Sequence, residues 1–153
     1  MKLFEEILKN SSLKFIDGKT KEILKFKDLL FDISPIEENN KQLVFLYCKN
    51  KLSSIGMYFS LLKGNFTIAL LNEELSTSLK IEIEEIYQPS IIIDESRAEV
   101  QFYSKNSISS NFYKIQLFQI NDNKKNVLIH PKIKLLLSTS GTTGSPKFVK
   151  LSE

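Results

Sequence analysis

The sequence contains no tryptophan and only one cysteine, one histidine and one arginine. The single cysteine, Cys48, excludes a disulfide framework within the chain and any zinc site built on several thiolates. With Arg97 as the only arginine, the planar forks that commonly read phosphates and base edges are missing. The formal charge of +3 is small and its lysines are scattered. No nucleic-acid partner is expected. No apolar run approaches the roughly 18 residues that span a bilayer, so no membrane partner is expected either. The start, Met1 to Glu6, brings acids at once and lacks the apolar core of a signal peptide. A cytoplasmic location follows as the expectation. Five glycines and four prolines leave no low-complexity linker, and no internal repeat is visible.

What is present suits one globular domain. The chain has 153 residues, of which 42% are hydrophobic and 25% charged. Leu3, Phe4, Ile7 and Leu8 predict a short helix over 2–10. Residues 13–16 read as a strand, closed by Asp17-Gly18, with 22–26 as its hairpin partner. Phe26, Leu29, Leu30 and Ile33 predict a helix that ends before Pro35.

The run Leu43 to Tyr47 is continuously apolar, as a strand covered on both faces must be. Leu52, Ile55, Phe59 and Leu62 then form a helical stripe, with Ser53 or Ser54 as its cap and Gly64 at its end. Residues 66–71 read as a second buried strand and 90–93 as a third. Between them, 76–87 fits a helix through Leu79, Ile83 and Ile86 or an alternating strand through Leu79, Ile81 and Ile83; its length, its acids and the stop at Pro89 favour the helix. Strand, helix, strand, helix, strand is the rhythm of an α/β fold: a parallel sheet with crossover helices. After Asp94 the pattern changes. Residues 100–103 and 112–120 read as strands around a polar loop at 104–111, and 121–126 as a polar turn. A last buried strand is expected at 133–137.

That strand runs into Ser138-Thr139-Ser140-Gly141-Thr142-Thr143-Gly144-Ser145-Pro146-Lys147, followed by a short strand with Phe148, Val149 and Leu151. The strands bracketing the loop are expected to be antiparallel. Such a loop suits a polyphosphate. Glycines let the backbone approach closely and converge its N–H groups, hydroxyls add donors, and the lysine supplies a mobile charge. The spacing is not that of a Walker A loop, because Gly141 and Gly144 lie only three apart. It is not a dinucleotide fingerprint either, with Thr139 at the first glycine position. Gly18-Lys19-Thr20 is a decoy, since Leu13 stands where its first glycine should be. On composition alone, a flexible hairpin tip would look the same.

The ordered string from Thr139 to Lys147 goes beyond composition. It closely resembles the phosphate-binding signature of the adenylate-forming superfamily, the AMP-dependent synthetases and ligases. More loosely, Lys25 to Leu29, Phe45 to Asn50, Met57 to Asn72 and Ser90 to Ile93 resemble segments of that family in the same order. Residues 94–132 match none of its segments. Phe148 stands where many members have glycine, and Glu153 where many have histidine, which leaves the subfamily and its acid substrate open.

The resemblance implies a partial, N-terminal segment of an AMP-binding domain over 1–153, without the C-terminal domain. It implies ATP and Mg²⁺, a carboxylic acid that attacks the α-phosphate, and a thiol acceptor on coenzyme A or a carrier protein. Thr142, Thr143 and Lys147 are the first candidates for holding phosphate oxygens. Thr139, Ser140, Gly141 and Gly144 complete and shape the loop. The family's adenine, ribose and catalytic-lysine motifs are not found in the 153 residues, so the chain alone is expected to be inactive. A stand-alone nucleotide-binding module, or half of a split enzyme completed by a complementary downstream chain, remain alternatives.

Elsewhere, His130 reads as a solvated loop residue and Cys48 as a small buried hydrophobe. Glu82, Glu84 and Glu85 read as a solvated helix face. Lys124 and Lys125 are too small a cluster for nucleic acid.

Overall fold

The computed structural model describes residues 6, 12–18, 20–120, 129–139 and 147–152. Apart from Glu6, the helix expected over 2–10 lies outside them, as does the polar turn at 121–126.

A small hairpin comes first. Strands β1 (Lys14–Ile16) and β2 (Ile23–Lys25) pair antiparallel, as the Asp17-Gly18 turn implied. The helix expected from Phe26 to Ile33 is only four residues long, α1 (Phe26–Leu29). Leu30 is already extended, with ψ of 135°. The extension brings the Phe31 N–H to the Ser60 hydroxyl, to which it donates at 2.7 Å. A turn of 3₁₀ helix over Ser34–Ile36 takes up Pro35.

The core is an α/β unit of strands β3 (Gln42–Cys48), β4 (Phe66–Asn72) and β5 (Ile91–Ile93), linked by helices α2 (Leu52–Lys63) and α3 (Thr77–Tyr87). All three strands are parallel, and Val44 stands opposite both Ile68 and Ile91. Side chains alternate across β3 because the strand period is two. Val44 and Leu46 cluster with Ile68, Met57 and Leu61, on the α2 side. Leu43, Phe45 and Tyr47 cluster with Leu71 and Ile83, on the α3 side. The two crossovers therefore cover opposite faces, which is why β3 reads as an unbroken apolar run.

Helix α2 is turned relative to the expected stripe. Its buried residues include Gly56, Met57, Ser60 and Leu61, while Ile55, Phe59 and Leu62 are half-buried. Neither Ser53 nor Ser54 caps it. The N-cap is Lys51 with no side-chain bond, and both serines are buried within the helix. The small residues are needed because α2 presses on the chain after α1. A Cβ added at Gly56 would lie 2.3 Å from the Leu29 carbonyl oxygen.

Four further strands complete a seven-stranded sheet: β6 (Tyr103–Ser109), β7 (Lys114–Ile120), β8 (Ile133–Thr139) and β9 (Lys147–Ser152). The order is β6-β7-β5-β3-β4-β8-β9. Strand β8 is parallel to β4, whereas β6, β7 and β9 run antiparallel to their neighbours. The region after Asp94 corrects the sequence reading. The expected polar loop at 104–111 is mostly strand β6, and the expected strand at 100–103 is mostly a turn. Polarity misleads here because β6 is an edge strand whose Ser104, Lys105 and Asn106 face solvent. Phe102 occupies the left-handed region at φ 68° and reverses the chain into β6.

Candidate functional site

Parallel strands β3, β4, β5 and β8 all end on the same edge of the sheet. The crossovers after β3 and β4 leave toward opposite faces. In open α/β sheets, ligands bind in the crevice that such a switch opens beyond the carboxyl ends of the strands.

Strand β8, which leads into the candidate loop, ends at this edge. Strands β8 and β9 pair antiparallel as expected, and the last pair is Thr139 opposite Lys147. The chain thus leaves β8 at Thr139 and re-enters the sheet directly beside it at Lys147. Ser140, Gly141, Thr142, Thr143 and Gly144 lie outside the described residues. The frame that carries them is firmly held. Thr67 Oγ1 donates to the Ile133 carbonyl at 2.7 Å and ties β8 to β4. Phe148, which departs from the expected glycine, packs edge-on against Tyr87 with ring centroids 4.9 Å apart and lies 6.0 Å from Phe45. That aromatic anchor fixes the strand immediately after Lys147 on the α3 face.

Two ion pairs lace the same edge. Lys49 Nζ lies 3.7 Å from Glu73 Oε1, and Lys51 pairs with Glu95. Partly exposed pairs of this kind are each worth about 0–1 kcal/mol. Cys48 closes β3, half-buried, its Sγ 3.6 Å from the Leu71 carbonyl. Burial, with the nearby Glu73 charge, pushes its thiol up, so it behaves as the small apolar residue expected rather than a nucleophile. His130 is exposed, as read, and its Nδ1 accepts from the Lys132 N–H.

One cluster was not foreseen. Glu84, expected on a solvated face with Glu82 and Glu85, is buried; the other two are exposed. Arg97 donates from Nη1 to Glu84 Oε2 at 3.0 Å and from Nε to Asp94 Oδ2 at 2.8 Å. Lys80 Nζ donates to the same Asp94 oxygen at 2.8 Å and to Ser96 Oγ at 3.0 Å. Tyr47 donates its hydroxyl to Glu84 Oε1 at 2.8 Å, and its ring lies under both cations. Burial, then the Glu84 charge, drives the Tyr47 hydroxyl far above its ordinary range, so it stays a donor. For Asp94, burial alone would raise the carboxyl, but hydrogen bonds from Lys80 and Ser96 outweigh it and hold it below the usual range. Two cations offset two carboxylates, and the network clamps the segment leaving β5 onto α3. The only sequence signal for it was the lone arginine.

Beside this network is a cavity of about 490 Å³, lined by Ile81, Glu85, Val100, Phe102, Tyr103 and Ile120 among others. Among the described residues, no group of three or more histidine, cysteine or acidic side chains is placed to hold a metal. No helix among them is long and apolar enough to cross a membrane.

No protein-family model matches this chain, and no curated protein matches it. Among solved structures, McyG A-PCP complexed with phenylalanyl-adenylate is similar, at a TM-score of 0.53 and 16% sequence identity. The likeness covers 99% of this chain and 28% of that one. At that identity it shows the shared fold.

Proposed function

We propose that this chain is part of the AMP-binding domain of an ATP-dependent carboxylate-activating ligase, and that it supplies the loop that grips the polyphosphate. The observation that carries this is that the strands flanking the string, β8 and β9, pair antiparallel beside parallel β4, with Thr139 opposite Lys147. The fold shared with a protein solved in complex with phenylalanyl-adenylate supports the same reading. The chain spans 28% of that protein's length.

In this reading a carboxylate attacks the α-phosphate of ATP, pyrophosphate leaves, and the acyl group passes to a thiol of coenzyme A or a carrier protein. The loop takes no part in bond making. Backbone N–H groups around Gly141 and Gly144, the hydroxyls of Thr142 and Thr143, and the Lys147 ammonium would hold the β- and γ-phosphates. Fixed donors of this kind stabilise charge as it moves onto the departing pyrophosphate. Mg²⁺ bound to the phosphates would neutralise part of that charge. With no cage of protein ligands among the described residues, it would arrive with the nucleotide.

One observation favours a second reading, a module completed by a complementary chain. Strand β9 has one neighbour in the sheet, and Leu137, Val149 and Leu151 lie exposed on one face of β8 and β9. Equilibrium binding of ATP to the 153-residue chain tests the main reading. Binding that is lost with Lys147→Ala supports it, and absence of ATP binding contradicts it. The same chain should give no ATP–pyrophosphate exchange with any carboxylic acid.

A further inference from the structure

The cavity beside the Glu84–Arg97 network has no part in the phosphate-loop reading. Its volume of about 490 Å³ lies within the range of about 300–1,000 Å³ typical of small-molecule sites. The apolar wall comes from Ile81 on α3, from Val100 and Phe102 ahead of β6, and from Ile120 at the end of β7. Two of these side chains are left open to water: Ile81 is 47% exposed and Phe102 is 70% exposed. Phe102 also holds the left-handed φ of 68°, a conformation that a bulky residue adopts only at a cost. Burial offsets little of that cost, because most of the residue stays in water. Two carboxylates border the cavity from different elements, Glu85 on α3 and Glu99 just before Val100. Both are exposed, and among the described residues neither has an ion-pair partner. The other charged lining groups are Glu84 and Arg97, which bind each other, and Arg97 also holds Asp94. An open apolar wall is thus joined to uncompensated negative charge.

We propose that this cavity binds an apolar organic cation, an amine whose apolar body rests on Ile81, Val100, Phe102 and Ile120 and whose ammonium group is drawn to Glu85 and Glu99. An anionic ligand would be repelled by the two free carboxylates. A neutral apolar ligand would cover the wall but take water from the carboxylates and return nothing to them. A cation with an apolar body satisfies both parts of the cavity. Exposed ion pairs are individually weak, so the apolar wall supplies most of the affinity and the carboxylates supply the selectivity. The Phe102 ring adds an aromatic face, which attracts cations. This site is separate from the phosphate loop. Strands β6 and β7 stand at one end of the sheet order and β8 and β9 at the other.

The test titrates the 153-residue chain with three ligands that share one indole body: tryptamine, a cation at neutral pH, the neutral tryptophol and the anionic indole-3-propionate. The chain contains no tryptophan, so the fluorescence anisotropy of each indole reads binding without background from the protein. Backbone-amide NMR places the ligand. Tryptamine should shift the signals of residues 81–88 and 99–103 saturably and bind about threefold or more tighter than tryptophol, with indole-3-propionate the weakest. Added salt should erode the advantage of tryptamine. The double variant Glu85→Gln with Glu99→Gln should bind tryptamine no better than tryptophol, with tryptophol affinity and melting temperature unchanged. Phe102→Gly, which suits the left-handed backbone, should weaken both ligands alike. No saturable shift in residues 81–88 and 99–103 with tryptamine up to about 10 mM overturns the proposal. Equal affinity for all three ligands, or a tryptamine preference that survives in the double variant, overturns it as well.

Discussion

Glu84 and Arg97 meet across 13 positions of sequence in a two-point ion pair, with Arg97 Nη1 on Glu84 Oε2 at 3.0 Å and Nη2 on Oε1. Glu84 belongs to helix α3, and Arg97 lies beyond β5. The same guanidinium reaches Asp94 through Nε. The only arginine of the chain thus joins the helix on one face to the carboxyl edge of the sheet.

Arg97→Ala should therefore cost about 3–5 kcal/mol, because it leaves Glu84 and Asp94 buried with too little positive charge. Arg97→Lys should recover only part of this, since an ammonium cannot form the two-point fork. Denaturant unfolding measures both. A loss under about 1 kcal/mol for the alanine variant would make the pair equivalent to a surface salt bridge.

Acid sensitivity should trace to Asp94. Its folded-state value is held below the usual carboxylate range. A depressed carboxyl contributes stability that is present above its unfolded value, about 3.9, and is lost as pH falls through the folded value. Asp94→Asn should flatten the stability profile on the acid side of pH 4, at a lower overall stability. A profile unchanged in shape would assign the acid response to other carboxylates.

Gly56→Ala should destabilise the fold by about 1–3 kcal/mol, because the new methyl meets the Leu29 backbone rather than a movable side chain. Gly18→Ala is the control. A Cβ there has nothing within 4 Å, so its change should stay within about 0.5 kcal/mol. Thermal melts of the two variants compare them directly.

The β3–α2–β4–α3–β5 unit was legible because its strands are covered on both faces and read as solid apolar runs. The antiparallel strands around the loop were legible because Ile133 to Leu137 and Phe148 to Leu151 flank an unmistakable break. Strand β6 was not, since an edge strand with Ser104, Lys105 and Asn106 in water carries no apolar signature. The short α1 was missed for a tertiary reason. Leu30 extends so that Phe31 can reach Ser60, and no local pattern records that bond. Glu84 was misjudged for a similar reason: spacing along α3 marks a charged face but cannot show that Arg97 returns to cover one member of it. The rotation of α2 followed from small residues. Gly56 and Ser60 set which side touches α1, and an apolar stripe alone does not weigh them. For the loop, the structure describes the strands that flank it, and its phosphate-holding role is the proposal drawn from its residues.

The central claim is that residues Thr139 to Lys147 hold a polyphosphate. Equilibrium binding of ATP to the 153-residue chain should be compared for the wild type, Lys147→Ala, Thr142→Ala and Thr143→Ala, with melting temperatures measured on the same samples. A charge-assisted hydrogen bond is worth about 1.5–3 kcal/mol, so Lys147→Ala should weaken ATP roughly ten- to a hundredfold. Each threonine variant should weaken it by less, through one lost hydroxyl donor, and melting temperatures should stay close to the wild type. Wild-type affinity in all three variants, or no ATP binding by the wild type, would contradict the account.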